Sequence, residues 1–309
     1  MRLMKFLIPV MALAAISFVV LYAPNLLLIL GDRATARGDI AAAAEYYVQA
    51  LTFPTLRTAD RAPVLEKAAQ AQENYAIEAR TDRDIFDAYK LTREVYDLHP
   101  TSVTALRLSR LLLLLGDYQN ARKILAMARA SDKGVNALTA TILDSQIRRS
   151  MNEIQASLDV LEAVIAASGN KNLGRDFHYN IGDVLMKLAH YAEAAEQFKA
   201  ALAAQPDDVA ARVQLACATA VLGTPADALE LLQTARKAMT GPRWQNDIES
   251  TKRYVTGTDQ IIAQLKDHIE RANPVRDDLC GLYLPPTFNV RYSSPLIYQL
   301  DTNISAPQP

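Results

Sequence analysis

The chain has 309 residues, 50 % of them hydrophobic and 22 % charged, a balance that excludes disorder throughout and suffices for one or two domains with a full core. A formal net charge of −1 supplies no long-range field to recruit nucleic acid or an anionic surface, so nucleic-acid binding is set aside. Abundant alanine against few β-branched runs favours helix over sheet.

The amino terminus, MRLMKFLIPVMALAAISFVVLYAPNLLLILGD, carries Arg2 and Lys5 and then no charge from Phe6 to Gly31. At about 1.5 Å per residue, Phe6 to Ala23 reaches most of the way across a hydrocarbon core of roughly 30 Å. Residues 1–23 are therefore expected to form an uncleaved, single-pass membrane anchor. A secretory signal peptide is the competing reading, because Ala12-Leu13-Ala14 has the small-x-small spacing of a cleavage site. The apolar run before it, Phe6 to Met11, is too short for an h-region of about 7 to 15 residues. Arg2 and Lys5 tend to stay in the cytoplasm, a bias that Arg33 and Arg37 dilute; the bulk of the chain is expected on the far side, the periplasm in a bacterium.

Residues 24–242 repeat a helical hairpin whose spacing is clearest from Arg175 onward. There glycine stands at the eighth position (Gly182), tyrosine at the seventeenth (Tyr191), alanine at the twentieth and twenty-seventh (Ala194, Ala201), phenylalanine at the twenty-fourth (Phe198) and proline at the thirty-second (Pro206). Gly182 and Ala194 carry almost no side chain and let two helices approach closely. Tyr191 and Phe198 fill the space between units, and Pro206 ends the second helix. The pattern resembles the tetratricopeptide repeat, a helix-turn-helix unit of 34 residues.

In chain order, the first unit has Leu30-Gly31, a turn at Gly38-Asp39, then Ala43, Tyr47 and Ala50. Residues from Ala59 to Arg80 read as a longer than usual first helix, and DIFDAYKLTREVYDLHP, with Ala88 and Pro100, as its partner. The unit from Ser102 has Ser109, the turn Gly116-Asp117-Tyr118, then Ala121, Leu125 and Ala128. Between Val135 and Gly169 either Ala156 or Ser157 fits the small position, and Asp144 and Gln146 are expected on a surface face. The unit from Val209 has Leu215, Ala216, Gly223, Ala228, Leu232 and Ala235. About six units are expected.

Residues 243–272 are expected to form a capping helix, with Ile248, Tyr254, Ile261, Leu265 and Ile269 on one side and Glu249, Lys252, Lys266 and Glu270 on the other. Asn273-Pro274 stops it. The tail, 273–309, is rich in proline and expected to be extended. Its apolar residues, with Tyr283, Phe288, Tyr292 and Tyr298 the strongest docking candidates, are expected to fold back on the solenoid or seat on a partner. The whole is an all-α solenoid preceded by one transmembrane helix and followed by a capping helix and a tail.

Cys217 and Cys280 belong to no metal-binding array. They read as a small buried hydrophobe and a tail thiol, with a disulfide open only in an oxidising compartment. His99, His178, His190 and His268 are scattered, and no nucleophile-elbow, phosphate-loop, dinucleotide or zinc-protease motif occurs. No enzyme activity, cofactor or metal is expected.

Function is then expected from surface. Resemblance to tetratricopeptide proteins implies a superhelix whose concave face, lined by the first helix of each unit, binds segments of other proteins. The lining residues would be Leu106, Arg110, Leu113 and Leu114, then Tyr179, Asp183, Met186 and Lys187, then Val213, Cys217 and Val221, a mostly apolar groove. Chaperone-adaptor members of the family hold a peptide carboxylate with lysine and asparagine. Tyr179 and Asp183 stand at those positions here, which departs from that subclass. The leading reading is a membrane-anchored scaffold for protein interaction or complex assembly at the cell envelope. A permanent accessory subunit of a larger membrane complex is the alternative, and an enzyme with an unrecognised site the last.

Overall fold

A computed structural model describes residues 22–54, 56, 58–79, 81–130, 137–168, 173–240, 244, 249–271, 275 and 279–283. Every regular element among them is a helix. The first, α1, covers 22–36. It is followed by α2 (Ile40–Leu51), α3 (Thr58–Ala79), α4 (Asp82–Leu98), α5 (Ser102–Leu115), α6 (Tyr118–Ala130) and α7 (Ala137–Ser150). Then come α8 (Ile154–Ser168), α9 (Arg175–Lys187), α10 (Tyr191–Ala204), α11 (Val209–Val221), α12 (Pro225–Ala238), α13 (Glu249–Arg271) and α14 (Leu279–Tyr283). From α1 to α12 they pair into antiparallel hairpins, odd-numbered helix first.

Local chemistry fixes the ends of these helices. Side-chain oxygens of Asp39, Thr81 and Asp208 accept from the first backbone N–H groups of α2, α4 and α11, and Thr101 with Thr104 forms a reciprocal capping box on α5. The turn inside most hairpins needs one residue with positive φ. Glycine supplies it at Gly38, Gly116 and Gly223, whereas Asn152 and Ala189 adopt it at 67° and 61°.

The hairpin seams are closed by the small residues the spacing singles out. A Cβ built on Gly182 would stand 2.7 Å from the ring of Phe198, and one on Gly31 would stand 2.6 Å from the ring of Tyr47. At α5 and α6 the seam is polar instead, with Ser109 Oγ donating to the carbonyl of Ala121 at 2.7 Å. The ambiguous unit resolves the same way. Ser157, fully buried, donates to the carbonyl of Ser145 at 2.8 Å, so Ser157 and not Ala156 is its small position.

Apolar side chains collect in successive clusters along the chain, from α1 through α4, from α3 through α7, from α7 through α12 and from α11 through α14. Each helix pair thus shares its core with its neighbours, the nearest-neighbour packing of a solenoid. The helix α13 packs on α12 and α14 and also touches α3.

Several expectations change. The tail is not extended throughout: Leu279–Tyr283 is helical, and Leu279 and Cys280 are buried in the cluster of α11 and α13. Cys217 and Cys280 are joined in a disulfide, with Cα atoms 6.0 Å apart, instead of standing as separate thiols. On α13, Tyr254, Ile261 and Leu265 are buried as expected, but Ile269, in the helix's last turn, is 43 % exposed. Asp144 and Gln146 are buried, not on a surface face. Ile248 and residues 1–21 lie outside the described residues.

Candidate functional site

The first helices of the units form one continuous face, and polar side chains join consecutive members of it. Arg107 on α5 donates from Nε to Glu73 on α3 at 2.6 Å, with Arg110 at 3.5 Å from the same carboxylate and Glu66 at 3.4 Å from Arg107. Between α7 and α9, the Gln146 amide donates to Asn180 at 3.0 Å and Arg149 pairs with Asp183. These three direct partnerships, Glu73 with Arg107, Gln146 with Asn180 and Arg149 with Asp183, each span 34 residues, one unit length.

Burial makes these pairs consequential. Glu73 is 1 % exposed and Arg149 3 %, so each charge has surrendered its water and depends on its partner. Asp144 is held by Arg129 at 2.9 Å and Arg148 at 3.0 Å, which explains how a carboxylate assigned to the surface is tolerated inside. At the start of α9, Arg175 stacks 4.5 Å above the Tyr179 ring and pairs with Asp208 and Asp176. Burial disfavours its charge, but the hydrogen bonds to the two carboxylates outweigh that and hold the guanidinium above its ordinary range.

The predicted groove residues divide into three groups. Leu106, Arg110, Leu114, Asp183, Met186 and Val221 are half-buried and Lys187 is exposed, so these seven reach the surface of the face. Leu113 and Tyr179 are buried at 3 % and 4 %, as packing between neighbouring units. Val213 and Cys217 sit in the cluster beneath α13 and α14, and the disulfide to Cys280 consumes the cysteine. The open part of the face is therefore shorter and more polar than an apolar groove over all three helices. Of the tail candidates, Tyr283 is the last residue of α14, while Phe288, Tyr292 and Tyr298 lie outside the described residues.

Residues 175–208 match the sequence model of the tetratricopeptide repeat. The structure is similar to that of a tetratricopeptide repeat protein from Parabacteroides merdae ATCC 43184, with a TM-score of 0.52 at 10 % identity over 86 % of this chain and 99 % of that one. The fold is a tetratricopeptide-repeat solenoid. Weaker likenesses are to MamA 41-end from Desulfovibrio magneticus RS-1 (TM-score 0.43, 17 % identity, 61 % of this chain and 98 % of that one) and to YrrB, a TPR protein with an unusual peptide-binding site (TM-score 0.39, 14 % identity, 64 % and 95 %). No curated protein matches the chain in sequence.

Sequence reasoning missed the ladder of Glu73, Arg107, Gln146, Arg149 and Asn180. The signal was present: complementary polar residues one repeat length apart on first helices stand on the same face of neighbouring units. Among the described residues no cluster of three His, Cys, Asp or Glu side chains is placed to hold a metal ion, and no helix is long and apolar enough to cross a membrane.

Proposed function

We propose that the protein is a membrane-anchored scaffold that docks segments of partner proteins on the first-helix face of its solenoid, and that it contributes no chemistry of its own. The observation that carries this reading is the face itself. Half-buried Leu106, Leu114 and Met186 alternate with Arg110, Asp183 and exposed Lys187 on helices whose geometry is fixed by buried ion pairs, a preorganised surface of mixed character. The charge-free run from Phe6 to Gly31 supports the anchor, and residues 1–23 are its proposed extent. The Cys217–Cys280 disulfide supports placing the solenoid outside the cytoplasm, in the periplasm of a bacterium, because such bonds persist in oxidising compartments.

A second reading, a permanent subunit of a larger membrane complex, draws on a different observation. Leu26 and Ile29 on α1, 58 % and 49 % accessible, form an exposed apolar stripe directly after the proposed anchor, in line with Tyr22 at the anchor's own end. Removing residues 1–23 separates the two: a scaffold becomes a soluble monomer that still captures its partner, whereas a subunit becomes insoluble. The docking face is tested by purifying the full-length chain and its Met186→Glu/Lys187→Glu variant from detergent-solubilised membranes. Mass spectrometry should then find a partner that the variant loses, and an identical set of companions from both proteins would overturn the reading.

A further inference from the structure

The opposite side of the solenoid carries a cleft of about 620 Å³ between α10 and α12, with α11 as its floor. Its lining is periodic. One wall consists of Ala192, Ala195, Glu196 and Lys199 on α10, the other of Asp227, Glu230, Leu231 and Thr234 on α12; both step by three, one and three residues. The floor is Leu215, Thr219 and Leu222, spaced by four and three. Each helix therefore offers a single straight face about two turns, or ~10 Å, long. A trough walled by two helical faces, low on one side because Ala192 and Ala195 lack bulk, is shaped for a third helix packing ridge into groove.

The character of the trough specifies what that helix carries. Buried Leu215 in the floor and half-buried Leu231 on the α12 wall give it an apolar lining, and Leu222 at its rim is 49 % exposed, a large aliphatic side chain without cover. On the α10 wall the charges cancel, Glu196 pairing with Lys199 at 2.7 Å. On the α12 wall Asp227, in the first turn of the helix, and Glu230 are exposed and make no ion pair among the described residues, which leaves two carboxylates without a cationic side chain along one edge. A more enclosed, drug-like site would bury most of a small ligand, and this trough is open along its length.

We propose that the α10–α12 trough is a second docking site, separate from the first-helix face, for an amphipathic helix of a partner protein that carries lysine or arginine beside its apolar stripe. Its leucine-type side chains would cover Leu222 and Leu231, and its cations would meet Asp227 and Glu230. Two faces would then let one chain hold two proteins at once.

The test uses the full-length chain and two fluorescein-labelled helical peptides, identical in their Leu stripe, one with Lys and one with Glu at the flanking positions. Fluorescence polarisation should show the Lys peptide binding at least about tenfold more tightly than its Glu twin, with the preference fading as salt is raised. Asp227→Lys/Glu230→Lys should reverse the preference, and the milder Asp227→Asn/Glu230→Gln should abolish it; both pairs are exposed, and melting curves confirm folding. No binding by either peptide, equal binding by both, or a preference that survives both variants would overturn the proposal. So would a concentration-dependent dimer of the unsubstituted chain that the charge-reversed variant loses, since the trough would then hold a second copy. Loss of partner capture through Met186→Glu/Lys187→Glu leaves these peptide measurements unaffected, so the two faces fail or succeed separately.

Discussion

Gly182→Ala adds one methyl group, and the structure decides its sign. In an open helix the change stabilises by about 1 kcal/mol through helix propensity. Here the new Cβ would lie 2.7 Å from one ring carbon of Phe198 and 2.9 Å from two others, against an ordinary carbon–carbon separation of about 3.5 to 4.0 Å. Phe198 is fully buried and its ring already meets Tyr179 edge-on, with centroids 5.7 Å apart, so it has no free space to retreat into. Overpacking of this kind costs about 1 to 3 kcal/mol, which exceeds the propensity gain and leaves a net loss of about 1 kcal/mol. For a solenoid of this size, thermal melts should drop by about 2 to 4 °C. Pairing the change with Phe198→Leu, which makes room at its own expense, should give a positive coupling of about 1 kcal/mol in a double-mutant cycle. Ala192→Leu, at an exposed position of α10, should shift the melt little. A rise in melting temperature for Gly182→Ala would show that the seam is open and that the helices are not packed as described.

Ala189→Gly relieves a left-handed turn conformation at φ 61° and should stabilise the chain by about 1 kcal/mol in chemical denaturation, against the usual direction for Ala→Gly. Arg149→Met strands the largely buried Asp183 carboxylate and should cost about 3 to 5 kcal/mol by urea titration, while Arg149→Met/Asp183→Leu should recover most of the loss. Cys280→Ser, or reduction by a dithiol, removes a link across 63 residues and should destabilise α13 and α14 by about 2 to 4 kcal/mol, seen as faster hydrogen exchange there. Asp32 is held below the usual aspartate range by a hydrogen bond from Lys67 and then one from Tyr47, with burial opposing them. Its contribution is therefore complete above the ordinary aspartate pKa and lost as pH falls through the depressed one. Asp32→Asn should flatten that acid limb by a few tenths of a kcal/mol, small because the Lys67 pair is half exposed.

The hairpin architecture was legible because it rests on short-range sterics. Gly182, Ala194 and Phe198 declare a helix–helix seam through their volumes alone, and Gly116 declares a turn through its backbone freedom. The unit holding Ser145 and Ser157 was hard to place because hydroxyl pairing does the work that glycine and alanine do elsewhere, and serine carries no volume signature of a seam. Asp144 and Gln146 depart from the surface expectation for a related reason. Polarity alone suggests exposure, whereas their partners Arg129, Arg148 and Asn180 come from a neighbouring turn, helix or unit and cancel the cost of burial. Position within a repeat specifies the groove residues but does not register what covers the last unit. Val213 and Cys217 occupy positions equivalent to Tyr179 and Asp183, yet both are buried in the cluster they share with α13 and α14, to which Cys217 is tied by the disulfide.

The central claim, that a partner protein docks on the first-helix face, is tested most directly by a photo-reactive amino acid placed in the full-length chain at Lys187, with the same residue at Arg83 on α4 as the control. Irradiation in cells should give one discrete adduct at Lys187, identified by mass spectrometry and lost when Met186→Glu is added, and none at Arg83. Adducts of equal yield and pattern at both positions, or an adduct at Lys187 that Met186→Glu leaves intact, would contradict it.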